Sequence, residues 1–226
     1  WAYARSPHGP HRGVIYEFCA GRGGHYPLAF LGGSKDRPIP VPPWQGTLLC
    51  DQYAGYNAVL DTRMYPHRKA AACAAHARRK FEELSRGGPS ASALASDALQ
   101  RFARIYQVEG LLANMDMAQR QQARQQLSKP LWDELKAWMQ LEGSRVLPGS
   151  KVRQAIDYSL QAWDALTLHL EDGAVAIDNN HLEQQIKPWK LGAKNWLFIG
   201  SELAGQRAAM VMSLVQSAKM NGVEPW

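Results

Sequence analysis

A mixed α/β fold interrupted by an all-helical segment is what this chain predicts, and three observations predict it. Short β-prone runs alternate with helical stretches up to about residue 86. The cluster Gly87-Gly-Pro-Ser90 then breaks the pattern, and beyond it only helical periodicity is found. A final segment, from Ala176 to Gly205, returns to polar and charged motifs. The expected organisation is therefore a first part over residues 1–86, a helical insertion over 87–173 and a second part over 174–226.

Trp1-Ala-Tyr-Ala and Val14-Ile-Tyr-Glu-Phe-Cys19 flank the turn residues Pro7-His8-Gly9-Pro10, which predicts an antiparallel hairpin. Gly21-Arg-Gly-Gly24 lacks the lysine and hydroxyl residue of a phosphate loop and reads as a flexible turn. Tyr26–Gly33 reads as a short helix, and Pro38–Pro43 is too rich in proline for regular structure. Thr47-Leu-Leu-Cys50 is a continuous apolar run, expected to be a strand buried on both faces and ending at Asp51. Tyr53–Leu60 reads as a helix. Ala70–Ala74 reads as a short strand, with a helix from about His76, although the alanines alone would also suit a helix.

In the insertion, Leu94, Ala98, Phe102, Ile105, Tyr106 and Leu112 mark one amphipathic helix. Leu127, Leu131, Leu135 and Trp138 mark a second, restarted at Pro130. Val152, Ile156, Leu160, Trp163, Leu166 and Leu170 mark a third, stopped by Glu171-Asp-Gly173. These stripes read as core. After a short capped helix around Glu183 and an apolar turn at Trp196, a last helix is expected from Ala204 to an Asn221-Gly222 stop.

Composition narrows the function classes. The 226 residues are 46% hydrophobic with a net charge of +6, a globular balance compatible with nucleic acid. No apolar run approaches the roughly 18 residues that span a bilayer, and no signal peptide is visible. The three cysteines sit in apolar runs, as buried free thiols of a reducing compartment would. Cys73 and His76 lack a second ligand pair at zinc spacing.

Three features carry candidate chemistry. Asp51 ends a strand, where α/β sheets commonly line an active crevice, yet it would equally cap the next helix. Glu183 is followed by Lys187, Lys190 and Lys194, a carboxylate among cations suited to metal and polyphosphate. Its spacing from Asn180 is also that of a reciprocal capping box, which fits the pattern better, and Lys187 is its i,i+4 neighbour. Arg78-Arg79-Lys80 after His76 is a solvated face or a phosphate clamp.

Asp51-Gln-Tyr-Ala-Gly-Tyr56, Cys73-Ala-Ala-His-Ala-Arg-Arg-Lys-Phe81, Ile177-Asp-Asn-Asn-His-Leu-Glu183 and Lys194-Asn-Trp-Leu-Phe-Ile-Gly-Ser201 occur in one order. Together they resemble the catalytic part of insertion-sequence transposases of the sixty-six type. Ser213-Leu-Val-Gln-Ser-Ala-Lys-Met-Asn-Gly-Val-Glu-Pro225 resembles the C-terminal signature of that family.

The resemblance implies a DDE enzyme with a ribonuclease-H-like core that cuts and joins DNA using Mg²⁺ or Mn²⁺. It makes Asp51 the second aspartate and Glu183 the glutamate, both catalytic and metal-binding, with His76, Asn179 and Asn180 in support. Arg78, Arg79, Lys80, Lys187, Lys190, Lys194 and Arg207 would contact DNA backbones. Transposon-end and target DNA are the implied partners, with a homo-oligomer and accessory proteins of the same element as further candidates. The bacterial cytoplasm, at the nucleoid, is the implied location. The first aspartate would lie on a strand preceding Trp1, so two carboxylates of three predict a chain inactive by itself.

Departures from the family pattern are Gln52 where glycine is usual, Ala74 where tryptophan is frequent, and Gln184-Gln185 with Lys187 in place of a more arginine-rich pattern. Two rival readings are a non-catalytic DNA-binding remnant and a helical interaction module.

Overall fold

Strand β1 (Ala2–Ala4) and strand β2 (Val14–Tyr16) form the expected antiparallel hairpin, with Ala2 opposite Tyr16 and Ala4 opposite Val14. This computed structural model describes residues 1–32, 43–86, 88–196 and 198–225. Of the Pro38–Pro43 stretch only Pro43 falls among them, and Gly33, Gly87 and Leu197 fall outside. Side chains alternate on β2 as the strand period requires: Val14 and Tyr16 are buried and Ile15 is exposed.

The described residues divide into two units. The first comprises Trp1–Leu48, Gln52–Ala70 and Asn179–Trp226; the second comprises Leu49–Asp51 and Ala71–Asp178. The division runs through strands β3 (Gly46–Cys50) and β4 (Arg68–Ala72), which pair in a second two-stranded sheet. Gly46 N, at the start of β3, donates to His67 O just before β4 (3.1 Å), and Cys73 N, just after β4, donates to Cys50 O at the end of β3 (3.1 Å). The partners ascend together, so the pair is parallel. Burial of β3 on both faces does not hold: only Cys50 is fully buried, because a two-stranded sheet has too few neighbours to cover both faces.

In the first unit, helix α1 (His25–Phe30) confirms the short helix near Tyr26. Helix α8 (Asn180–Trp196) is 17 residues long, so the expectation of a short helix there is corrected. Helix α9 (Glu202–Met220) is capped by Ser201, which accepts from Ala204 N (3.2 Å), and ends at Asn221 with Gly222 at φ 70°, as expected. It packs on β2 in an uncommon way. Ser213 Oγ accepts from Tyr16 N (2.9 Å), while Ser217 Oγ accepts from Val14 N and donates to Val14 O (both 3.0 Å). The helix serines thus satisfy a strand edge that would otherwise present unpaired backbone groups. Close approach requires Gly205, since a Cβ there would lie 2.5 Å from the Phe18 ring.

The helix expected over Tyr53–Leu60 reduces to one 3₁₀ turn, Ala54–Tyr56. Gly55 lies so close to Gly24 that a Cβ on Gly24 would meet the Gly55 carbonyl at 2.6 Å, and this packing replaces the helix. Below it Arg68, 2% exposed, donates to Trp44 O, Val59 O and Leu31 O at 2.8–3.1 Å and lies 3.7 Å from the Tyr65 ring centroid. Three carbonyls and an aromatic face replace a carboxylate partner.

The second unit holds the larger core. Helix α2 (Ala74–Leu84) buries Ala74, Ala77, Phe81 and Leu84 on one face. That face shares one core with α3 (Pro89–Leu111), α5 (Lys129–Arg145) and α6 (Lys151–Gln161), to which Phe102, Ile105, Trp132, Leu135 and Ile156 contribute. The strand-then-helix reading around Ala70–His76 is therefore correct, and Pro130 stands in the first turn of α5 as expected. Cys50 and Cys73 are buried and in no disulfide, whereas Cys19, also in no disulfide, is only half-buried.

Two helical details escaped the sequence. Helix α4 (Met117–Ala123) has a true capping box between Asp116 and Gln119 and runs through a π-helical turn, Arg124–Ser128, into α5. The third predicted helix breaks at Ala162 into α6 and α7 (Trp163–Thr167), followed by a 3₁₀ turn. No breaker residue stands there. The break accompanies burial of Trp163 against Trp132, ring centroids 5.6 Å apart. Gly173 then ends the segment, because a Cβ there would collide with the Met117 carbonyl.

His169, 2% exposed, sits within this core with Nδ1 2.8 Å from Leu166 O. Burial, and then the Arg124 charge, lower its pKa to about 4. The unfolded chain, with an ordinary histidine near 6.5, binds the proton first, so stability is full above pH 6.5 and falls as pH drops toward 4. The expected loss is roughly 3 kcal/mol. Urea unfolding at pH 7 and pH 4 checks it: His169→Gln should show a flatter pH dependence, and an unchanged slope would refute the assignment.

Among the described residues no helix is long and apolar enough to cross a membrane.

Candidate functional site

Asp51 leaves the carboxyl end of the parallel pair β3–β4, the end at which open α/β sheets present ligand-binding residues. It is half-buried, and its carbonyl accepts the Tyr158 hydroxyl at 3.1 Å. Burial and then the Asp51 charge push the Tyr158 phenol up to about 12, so it stays a donor at neutral pH. Gln52 follows at φ 62°, the left-handed region that favours glycine, at a cost of about 1–2 kcal/mol for other residues. The departure noted at this position thus falls where backbone geometry gives glycine its advantage.

The ends of β3, β4 and the Ile177–Asp178 segment lie in succession. Cys73 N bonds Cys50 O, and Ala74 N bonds Ile177 O (3.1 Å each). From α3, Tyr106 donates its hydroxyl to Asp178 Oδ2 at 2.8 Å.

On α2, His76 is half-buried in the first turn, Arg78 pairs with Glu82 at 2.7 Å, and Arg79 and Lys80 are exposed. Lys80 Nζ also lies 5.2 Å from the Tyr158 ring centroid.

In the first unit, Glu183 is half-buried in the first turn of α8. Its amide donates to Asn179 O at 3.0 Å. Asn179 therefore occupies the cap position and Glu183 the fourth helical place, one beyond that of a capping-box glutamate. The box expected between Asn180 and Glu183 is displaced because Asn180 is already helical.

Lys187, Lys190 and Lys194 are all exposed, and their i, i+3, i+7 spacing puts them on one stripe of α8. The helix continues through Pro188, beside which the Tyr16 hydroxyl donates to Gln185 O. Arg207 is exposed on α9.

Asp51 thus belongs to the second unit, with His76, Arg78, Arg79 and Lys80, whereas Glu183, Asn179, Asn180, the three lysines and Arg207 belong to the first. Among the described residues no group of three or more His, Cys, Asp or Glu is placed to hold a metal ion.

The sequence profile of the Transposase IS66 family matches residues 1–207. The chain belongs to that family. Three similar proteins come from Sinorhizobium fredii (strain NBRC 101917 / NGR234). Uncharacterized protein y4hP is 32% identical over 224 residues, covering 94% of this chain and 39% of its own length. Uncharacterized protein y4qI is 34% identical over 234 residues, covering 100% of this chain and 41% of its own length. Uncharacterized protein y4jD is 32% identical over 217 residues, covering 84% and 42%. The chain spans about two fifths of the length of these relatives. No solved structure matches.

Membership of the IS66 family gives the chain a transposase-related role. Within it, sequence reasoning passed over Tyr106, Tyr158 and Asp178. Tyr106 stands in a core stripe, Tyr158 carries no local signal, and Asp178 lies in a motif that gives it no role of its own.

Proposed function

We propose that this chain is the catalytic segment of an insertion-sequence transposase of the DDE kind. In this reading residues 1–86 and 174–226 build a ribonuclease-H-like core and residues 87–173 are a helical insertion. The observation that carries it is Asp51 at the carboxyl end of a parallel strand pair, in a chain matched by the family profile over residues 1–207.

Asp51 and Glu183 are proposed as two acidic residues of the site. Carboxylate oxygens suit Mg²⁺ or Mn²⁺, and such an ion, when bound, neutralises charge on the attacking and leaving oxygens of an in-line displacement. Among the described residues no group of three or more such side chains is placed to hold a metal ion, and in this reading Asp51 and Glu183 are two members of a larger ligand set. Water attacking the scissile phosphate would free a DNA 3′-hydroxyl. That hydroxyl would then attack a target phosphate, displacing the target's own 3′-oxygen as the new bond forms. Exposed Arg79, Lys80, Lys187, Lys190, Lys194 and Arg207 are suited to neutralise backbone phosphates without reading sequence, with Arg78 shared between that task and Glu82. A cytoplasmic, nucleoid-associated place, a homo-oligomer and accessory proteins of the element belong to the same proposal.

One alternative, a DNA-binding remnant without chemistry, draws on the same exposed cations, Arg79, Lys80, Lys187, Lys190, Lys194 and Arg207. A labelled transposon-end duplex separates the two. The full-length protein is expected to nick it with Mg²⁺ and to stop on addition of a chelator. Salt-sensitive binding with no cleavage in either condition would leave the remnant as the function.

A further inference from the structure

Asp178 is the last residue of the second unit, and Glu183 follows it by five positions. Ala74 N donates to Ile177 O (3.1 Å) and the Tyr106 hydroxyl to Asp178 Oδ2 (2.8 Å), and these bonds help to hold the end of that unit. Ile177 is buried and Asp178 half-buried. Tyr106 lies on α3 between the core residues Phe102 and Ile105 and the helix end, and packs against that core. Burial, and then the Asp178 charge, raise its pKa, which keeps the phenol protonated and donating. An O–H group facing a carboxylate makes one of the stronger hydrogen bonds available to a side chain, about twice a neutral one. Phenylalanine would fill the same space, so packing alone does not require the hydroxyl.

We propose that Tyr106 is a positioning residue, whose hydrogen bond to Asp178 holds the Ile177–Asp178 end of the second unit, the residues that directly precede the cap and first turn of α8 in the chain. The proposal deepens the transposase reading and rests on it only for the effect on DNA cleavage.

Hydrogen exchange on the full 226-residue chain tests the positioning. In Tyr106→Phe the amides of residues 179–183 are expected to exchange about ten-fold faster, the effect of one lost hydrogen bond, with α5 and α6 unchanged. Asp178→Ala removes this acceptor together with the carboxylate's other interactions, keeps the phenol, and should speed exchange at 179–183 at least as much as Tyr106→Phe. Wild-type protection at 179–183 in both variants would overturn the proposal, as would acceleration spread evenly over the helical unit. The consequence is read separately in the full-length protein, where Tyr106→Phe should lower kcat for nicking about ten-fold and leave KM for DNA unchanged. Faster local exchange with unchanged kcat would support the positioning and remove Glu183 from the reaction, so the two readings fail by different signs.

Discussion

Glu183→Gln in the full-length protein is expected to lower metal-dependent nicking of transposon-end DNA by at least about 100-fold, because even an outer-shell partner of a metal ligand is worth 10–100-fold. The substitution keeps size and hydrogen-bonding reach but removes the charge that a cation requires. Glu183 is half-buried in the first turn of α8, with its amide already bonded to Asn179 O, so the backbone has no need of a change. Binding of DNA should persist or tighten, since one negative charge near Lys187 is lost. Nicking assays with wild-type and variant protein, at matched DNA occupancy, decide it. Cleavage retained within a few-fold would take Glu183 out of the site and return it to a helix-start role. Asp51→Asn is expected to behave alike, because Tyr158 holds Asp51 by its backbone carbonyl, a contact the substitution leaves in place.

The second large effect lies in stability. Arg124 is fully buried and pairs with Glu109 through Nη2 and through Nε (3.1 Å to Oε2). Its Nη1 donates to His169 O (2.8 Å), Val175 O (2.9 Å) and Asp172 O (3.2 Å). Arg124→Ala would leave a largely buried carboxylate without its cation and three carbonyls without their donor. The expected loss is about 3–5 kcal/mol. In a chain of this size that lowers Tm by roughly 10 °C. Lysine should not rescue it, since a point charge does not reproduce the guanidinium fork. The double variant Arg124→Met with Glu109→Leu should recover much of the loss, because it removes both charges at once. Denaturant unfolding measures each, and a loss under about 1 kcal/mol for Arg124→Ala would show that water reaches the pair.

These two sites differ in how far the sequence announces them. Asp51 and Glu183 stand in local motifs, a strand end and a helix start, where neighbours in sequence are neighbours in space. Arg124 stands in Gln121-Gln-Ala-Arg-Gln-Gln126, which reads as a solvated polar face. Its partners come from 15 to 51 residues away, and no local pattern encodes them. Arg68 is the same case, reaching Leu31 O across 37 positions. The misplaced helix over Tyr53–Leu60 has a similar origin, for the approach of Gly24 to Gly55 is tertiary.

By itself the sequence determined the hairpin, the strand-to-helix step at Ala72–Ala74, the helical character of the middle segment, the last helix with its cap and stop, and the family. All of these rest on period, turn chemistry and capping, which act over a few residues. Only the tertiary structure decided that β3 and β4 run parallel, that helix serines close the edge of β2, and that buried arginines organise both units. The same holds for Tyr158 at Asp51 and Tyr106 at Asp178. Those outcomes depend on which polar groups meet when water is excluded. Buried donors and acceptors must then find partners wherever the fold brings them, at any separation along the chain.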